Sequence, residues 1–176
     1  MTGDGTPSAQ LTIAGGGERY LLFSLHDRRY GLPLAGIQQV LPFATLSRPP
    51  GAPSLLAGFL NLRGRAVAVV ALAEMFGIPQ AAPGLESHLV LLHGDPAVAL
   101  LVGRANEVVQ VNQRDLLGVQ SGMSLNECAD GMLALESESI VLLNPQRLLL
   151  GQERKVLAEL ATQQQQRLDE LEKSAP

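Results

Sequence analysis

The chain has 176 residues, 46% of them hydrophobic but only 3% aromatic and none Trp, so aliphatic side chains must fill its core. With 13 basic and 17 acidic residues it carries a formal charge of -4, which argues against a nucleic-acid binder. The single cysteine, Cys128, has no internal disulfide partner and fits a reduced, cytoplasmic setting. Met1 to Gln10 holds no Lys or Arg and no apolar run, so it lacks the parts of a signal peptide. The longest apolar run, Ala66 to Ala73, falls far short of the roughly 20 residues of a spanning helix, so no membrane insertion is expected.

Residues 1–17 are rich in Gly, Ser and Thr and read as a flexible tail. Tyr20 to Leu25 reads as a first strand, His26 to Arg29 as a turn, and Tyr30 to Leu34 as the return strand, with Pro33 marking an edge or a strand end. Ile37, Val40 and Leu41 are spaced i, i+3, i+4, which predicts a short helical turn. Ser54 is placed to cap a short helix over Leu55, Leu56 and Phe59. Asn61 to Arg65 predicts a tight turn before a strand, Ala66 to Leu72, buried on both faces. Ile78 to Ser87, rich in Pro and Gly, reads as the internal hinge.

The second half repeats the pattern. His88 to Leu92 and Ala97 to Val102 flank a hairpin signal at His93 to Pro96, and Glu107 to Val111 is a further strand. Met132 to Leu135 and Ile140 to Leu143 flank a polar turn at Glu136 to Ser139. Asn144-Pro145 predicts a short helix through Leu150, stopped by Gly151. From Gln152 to Lys173 there is no Gly or Pro, and Leu157, Ala161, Gln164, Leu168 and Leu171 form a heptad stripe. A helix packed on its own barrel is the reading favoured over a docking or dimer helix, and Asp169 and Lys173 are spaced to pair along it.

No set of residues assembles a nucleophile, a base and an oxyanion donor. His88 and His93 close the two ends of one apolar strand, on opposite faces, and give no metal-ligand spacing. Ser24, Ser54 and Ser121 lie in no nucleophile-elbow context, Gly15-Gly16-Gly17 lacks the lysine of a phosphate loop, and Glu136 and Glu138 sit in a solvated turn. The expectation is a protein that is not an enzyme and holds no cofactor or metal.

The informative stretch is Gly58-Phe59-Leu60-Asn61-Leu62-Arg63-Gly64, followed by the strand Ala66 to Leu72 and then Met75-Phe76-Gly77. Gly64 permits a positive φ at a hairpin entry, and Arg63 is then presented on a turn with five donors and a fixed charge. Gly-x-x-Asn-Leu-Arg-Gly before an apolar strand resembles the signature of CheW domains. Tyr20 to Leu25, Tyr30 to Leu34, Ile37 to Leu41, Leu100 to Val111, Gly131 to Leu133 and Val141 to Asn144 resemble further elements of that family in order, over about residues 18 to 151. This chain departs from the family pattern at Gln39, where Glu is usual, at Ala68 (Pro), at Ala71 (Asp), at Gly103 (Asp) and at Glu74-Met75, where the turn is usually basic. An amide at position 39 loses the charge-assisted part of any bond to Arg63, roughly a twofold loss in strength.

The resemblance implies a mainly β fold of two intertwined five-stranded SH3-like barrels with short helices and a C-terminal helix. Residues 18–151 would form the CheW-like domain and 152–176 a helix and tail. It further implies a non-catalytic adaptor that couples chemoreceptors of the methyl-accepting type to a CheA-type histidine kinase. Such an adaptor would sit in the cytoplasm, recruited to membrane receptor arrays, in a bacterial chemosensory pathway that for this divergent sequence is a non-flagellar one. Its partners would be the kinase regulatory domain, the receptor cytoplasmic tip and CheW-like paralogues, with no nucleic acid. The implied docking surface holds Arg63 with Ile37, Gln39, Val40 and Leu62, while Asn61 and Gly64 shape the turn; core packing is the competing role for Ile37 and Val40. The alternative function is a regulatory β-barrel that binds a small molecule in an apolar pocket.

Overall fold

The computed structural model describes residues 17–79, 82–117, 128–149 and 151–174. The expected tail therefore lies outside the described residues except for Gly17, as does Ser121. The strands are β1 (Glu18–Leu25), β2 (Arg28–Pro33), β3 (Ile37–Pro42), β4 (Leu56–Leu62), β5 (Arg65–Ala71), β6 (His88–Leu92), β7 (Val98–Val102), β8 (Glu107–Val111), β9 (Leu116–Leu117), β10 (Ala129–Leu135) and β11 (Glu138–Leu143). A short α1 (Leu72–Met75) follows β5, and a long α2 (Gly151–Ser174) ends the described chain. The expected mainly β architecture with a C-terminal helix is thus what the structure shows.

The strands form two sheets. One has six strands in the order β8-β1-β2-β11-β10-β9, counting the two-residue β9; the other has five in the order β3-β6-β7-β5-β4. Most neighbours are antiparallel, but β11 runs parallel to β2 and β7 parallel to β5. The connection after β3 bridges back to β4 through Ser47 and Phe59, so the five-stranded sheet curls until its two edges approach. The first sheet takes strands from both ends of the described β region, and the second is threaded between them. The two units are therefore intertwined.

Side-chain parity explains the apolar runs. Successive residues of a strand point to opposite faces. On β1, Tyr20 and Leu22 enter a cluster with Val111, Leu133, Ile140 and Leu142 inside the six-stranded sheet, while Leu21, Phe23 and Leu25 enter a central cluster. On β5, Val67 and Val69 pack inside the five-stranded sheet, and Ala68 and Val70 join the central cluster. The same alternation splits Leu89 and Leu91 from Val90 and Leu92 on β6, and Ala99 and Leu101 from Leu100 and Val102 on β7. Both faces of these strands are buried, so the sequence reads as continuous apolar stretches.

Three local expectations are corrected. Ile37 to Leu41 is not helical but forms β3, and the only helical turn nearby is the 3-10 turn Leu34–Gly36 just before it. A bulge between Ile37 and Gln39 adds a residue to the pairing with β6. It restores Ile37 and Val40 to one face, where both pack on the central cluster, and so produces a helix-like spacing in a strand. Ser54 caps no helix: Ser54 and Leu55 form a turn, and Leu56 opens β4. Asn144 to Leu149 is a turn held by Asn144 Oδ1, which accepts the Gln146 N–H at 2.9 Å, and Gly151 begins α2 instead of stopping a helix. Leu150 lies outside the described residues. Of the stretch read as the internal hinge, residues 80 and 81 lie outside them too; the stretch joins α1 to β6, whose sheet also holds β5. Ala71 stands at the N-cap of α1 in extended conformation with no side-chain cap bond, the place where the family's usual Asp would supply one.

The departure at Gly103 also has a physical reading. Gly103 N–H donates to the Ser24 carbonyl at 2.8 Å, and Ser24 N–H donates to the Arg104 carbonyl at 3.0 Å, so the chain leaving β7 is laced to β1 where the two sheets meet. A Cβ at position 103 would lie 2.5 Å from Ser24 Oγ and 2.8 Å from the Ser24 carbonyl oxygen. Backbone cannot yield as a flexible side chain can. Gly103→Ala is therefore expected to destabilise the fold by about 1–3 kcal/mol, read as a lower urea midpoint; an unchanged midpoint would mean this seam is loose.

Candidate functional site

Three hairpins turn in two residues: Leu25 pairs with Arg28, Leu62 with Arg65, and Leu135 with Glu138. Each places a non-glycine residue in the left-handed region, His26 at φ 58°, Arg63 at 53° and Glu136 at 58°. At the β4–β5 turn the next residue, Gly64, is also left-handed at φ 85°. Two successive positive φ values match the right-handed twist of the flanking strands, the geometry favoured in two-residue hairpins. Holding an L-residue there costs about 1–2 kcal/mol, so the surroundings must impose it. One restraint is Asn61, whose Oδ1 accepts the Gly64 N–H at 2.9 Å.

The result is an arginine presented outward. Arg63 is exposed and makes no hydrogen bond or ion pair with any described residue. Asn61 is exposed beside it, and Leu62 is half-buried against the cluster inside the five-stranded sheet. Asn61, Leu62, Arg63 and Gly64 are thus brought together at one tip. Ile37, Gln39 and Val40 lie on β3, at the other edge of that sheet. Gln39 is exposed, whereas Ile37 and Val40 are half-buried against the central cluster. Phe43, just past the end of β3, shares a cluster with Leu62. No hydrogen bond joins Gln39 to Arg63 among the described residues.

The sequence reading missed the partner of this turn. Helix α2 packs its first half on the central cluster through Leu157, Leu160 and Ala161, and lies along β5. Gln165 Oε1 accepts the Ala66 N–H at 2.8 Å, and its Nε2 donates to the Gly64 carbonyl at 2.8 Å and to Asp169 Oδ1 at 3.2 Å. Gln164 Nε2 donates to Ser47 Oγ at 3.5 Å. The helix is therefore packed on its own barrel, as favoured. Of the stripe, Leu157 is buried, Ala161, Gln164 and Leu168 are half-buried, and Leu171 is 66% exposed. The sequence reading had spaced Asp169 to pair with Lys173, whereas among the described residues it accepts from Gln165 instead; nothing in the sequence links residue 165 to residue 64.

Several groups that chemistry would need are tied into structure. Glu138 on the neighbouring strand β11 pairs with Arg29 of β2 at 3.4 Å, and Arg29 also holds Glu107 of β8, on the far side of β1, at 2.5 Å. His88 Nδ1 accepts the Ala105 N–H at 3.3 Å, while His93 is exposed. Cys128 is buried, and burial pushes its thiol up from the ordinary range. Burial, reinforced by Glu18, pushes Tyr20 up to about 12. Among the described residues no three His, Cys, Asp or Glu side chains gather to hold a metal. A cleft of about 300 Å³ lies between Gly36, Leu92, Pro96, Pro145 and Arg154. The Arg154 side chain turns to the Leu149 and Gln146 carbonyls.

The chain has recognisable relatives. The family model described as the CheW-like domain matches residues 19–153. A "Chemotaxis protein CheW" of Rhizobium meliloti is 23% identical over 150 residues, covering 84% of this chain and 97% of that protein. The protein of the same name from Helicobacter pylori is 25% identical over 109 residues, 61% of this chain and 66% of that protein, just under two thirds of its length. Among solved structures, the scaffolding protein TtCheW from Thermoanaerobacter tengcongensis aligns with a TM-score of 0.68 at 19% identity, over 74% of this chain and 86% of that one, a likeness of fold.

Gly64 gives the turn its own test. In Gly64→Ala a Cβ would sit 3.2 Å from Glu172 Oε1 on a residue held at φ 85°. The expected loss is about 1 kcal/mol, or roughly 2–4 °C in Tm for a chain of this size. A variant as stable as wild type would show that the turn tolerates a β-carbon and is less constrained than its geometry implies.

Proposed function

This chain belongs to the CheW-like domain family, and from that premise we propose that it is a non-catalytic coupling scaffold of a chemotaxis-type pathway. It joins the regulatory domain of a CheA-type histidine kinase to the cytoplasmic tips of methyl-accepting chemoreceptors, and sits in the cytoplasm at membrane receptor arrays. The names of its relatives, chemotaxis and scaffolding proteins, support the class of function. No helix among the described residues is long and apolar enough to cross a membrane. The neutral or small residues at Gln39, Ala68, Ala71 and Gly103, where the family pattern carries Glu, Pro, Asp and Asp, set the chain apart and favour a non-flagellar pathway.

The observation that carries this reading is Arg63. An exposed guanidinium with no partner among the described residues, on a turn held in an uncommon conformation, is arranged to meet another protein. Five donors in a fixed fork suit a carboxylate or a row of carbonyls on another protein. Asn61 and Gly64 set the turn, Leu62 backs it, and Gln39 with the exposed side of β3 extends the surface; Ile37 and Val40 add limited apolar contact. Edge strand β3 is open to pairing with another barrel, and the apolar walls of the cleft at Leu92 and Pro96 suit a helical tip. CheW-like paralogues are further partners. The CheW-like unit, read as residues 18–151 and matched by the family model over 19–153, does the docking, with the chain to residue 176 appended to it.

A pull-down of the full chain with the kinase regulatory domain and a receptor tip from the same organism tests this. An interface arginine at the centre contributes about 2 kcal/mol or more, so Arg63→Glu should weaken capture by about 30-fold or more. Because Arg63 is exposed and unpaired among the described residues, Tm should hardly move. Capture of both partners at wild-type strength by Arg63→Glu would remove Arg63 from the surface, and no capture by wild type would sink the scaffold reading itself.

A further inference from the structure

We propose that Gln165 is a positioning residue for the Arg63 turn, and that α2, nearly all of which lies beyond the matched region 19–153, is an added clasp that pre-organises the docking hairpin. This inference rests on the docking role given to Arg63 above.

The argument begins with main-chain hydrogen bonding. In a two-residue hairpin the closing pair, Leu62 and Arg65, directs its N–H and C=O groups at each other across β4 and β5. The groups of the next residue, Ala66, then point away from β4, towards β7. The parallel ladder between β5 and β7 begins at Ala68 with Val98, so Ala66 lies beyond its end. The Ala66 N–H and the Gly64 carbonyl are therefore left without a strand partner on that side, on a half-buried residue.

Gln165 supplies both missing partners. Its amide accepts from Ala66 and donates to Gly64, each at 2.8 Å. A carbonyl and an N–H that flank one residue are the pair that a parallel neighbouring strand would engage, so one side-chain amide stands in for the absent residue of that strand. The amide orientation follows from the partners, since the reverse would set N–H against N–H and C=O against C=O. Asp169, accepting from the same Nε2 at 3.2 Å, steadies the side chain from one helical turn along. Leu157, Leu160 and Ala161 anchor the helix upstream, so the contact is held from a packed element.

The consequence is for binding. Arg63 and Gly64 both occupy positive φ, and only local restraint keeps them there. Asn61 fixes the Gly64 N–H from inside the turn, and Gln165 fixes the Gly64 carbonyl from outside it. With both groups held, a partner meets Arg63 on a turn already in one conformation and loses little freedom in docking. Removing Gln165 leaves Arg63 in place but frees the peptide behind it.

The test uses the full chain as wild type, Gln165→Ala, Arg63→Glu and the double variant. Amide exchange is followed residue by residue, and affinity is measured for the kinase regulatory domain. In Gln165→Ala, exchange at Ala66 should rise about tenfold, as expected for the loss of one hydrogen bond, while Val69 in the middle of β5 stays protected. Affinity should fall roughly fivefold through lost pre-organisation, with Tm within a degree or two of wild type. Gln165→Ala should add no further loss in the Arg63→Glu background, because it acts through that arginine. Unchanged Ala66 exchange, or unchanged or tighter binding by Gln165→Ala while Arg63→Glu still loses it, would overturn the positioning role alone. Binding insensitive to Arg63→Glu would overturn the docking reading and this role with it.

Discussion

Everything in this molecule depends on a layer of side chains shared by two sheets. Leu21, Phe23 and Leu25 of β1, Val70 of β5, Val90 and Leu92 of β6, and Leu100 and Val102 of β7 belong to one cluster, and each of these strands also faces a second cluster inside its own sheet. A strand buried on both faces cannot slip by one residue without exchanging its two apolar sets, so register is fixed by packing on each side. Such a strand also has no face left for polar function. Chemistry and recognition are pushed to turns, edges and the seam. Among the described residues no charged or polar side chain is buried in the core.

That constraint explains why the candidate surface is a hairpin tip and an edge strand. The middle of β5 is sealed by β4 on one side and β7 on the other. Only where β7 has not yet begun does β5 emerge, and there the turn projects Arg63 outward while α2 supplies the missing hydrogen bonds. The same logic places the sheet-to-sheet seam at Ser24 and Gly103, where close main-chain contact leaves no room for a β-carbon. The family's usual Asp at that position would not fit the seam as this chain builds it, so at least one departure belongs to the architecture.

Much of the fold was legible because parity and turn chemistry are local. The strands at Tyr20 to Leu25, Ala66 to Leu72, His88 to Leu92 and Glu107 to Val111 lie within a few residues of where their apolar runs placed them. The turn at Asn61 to Arg65 was readable from Asn, Arg and Gly together. What failed was pattern without context. Ile37 and Val40 imitate a helix because a bulge inserts Gln38, and a bulge is set by the partner strand, here β6. Ser54 has the chemistry of a cap, but Leu56 is drawn into β4 by its pairing with Val70. Gly151 was read as a stop because glycine often follows a helix, whereas here it opens α2. Of the candidate site, the four residues of the tip were legible as a unit. The placement of Gln39 away from any bond to Arg63, and the contact of Gln165 with Gly64 across 101 residues, are tertiary and left no mark on the sequence.

Docking at the β4–β5 tip is tested most directly by titrating the isotopically labelled full chain with the kinase regulatory domain and following every backbone amide. Shifts that concentrate on Asn61 to Ala66 and on β3, saturating together, are the predicted result. A partner that saturates the chain while those amides stay still, with shifts confined to other surfaces, would contradict it.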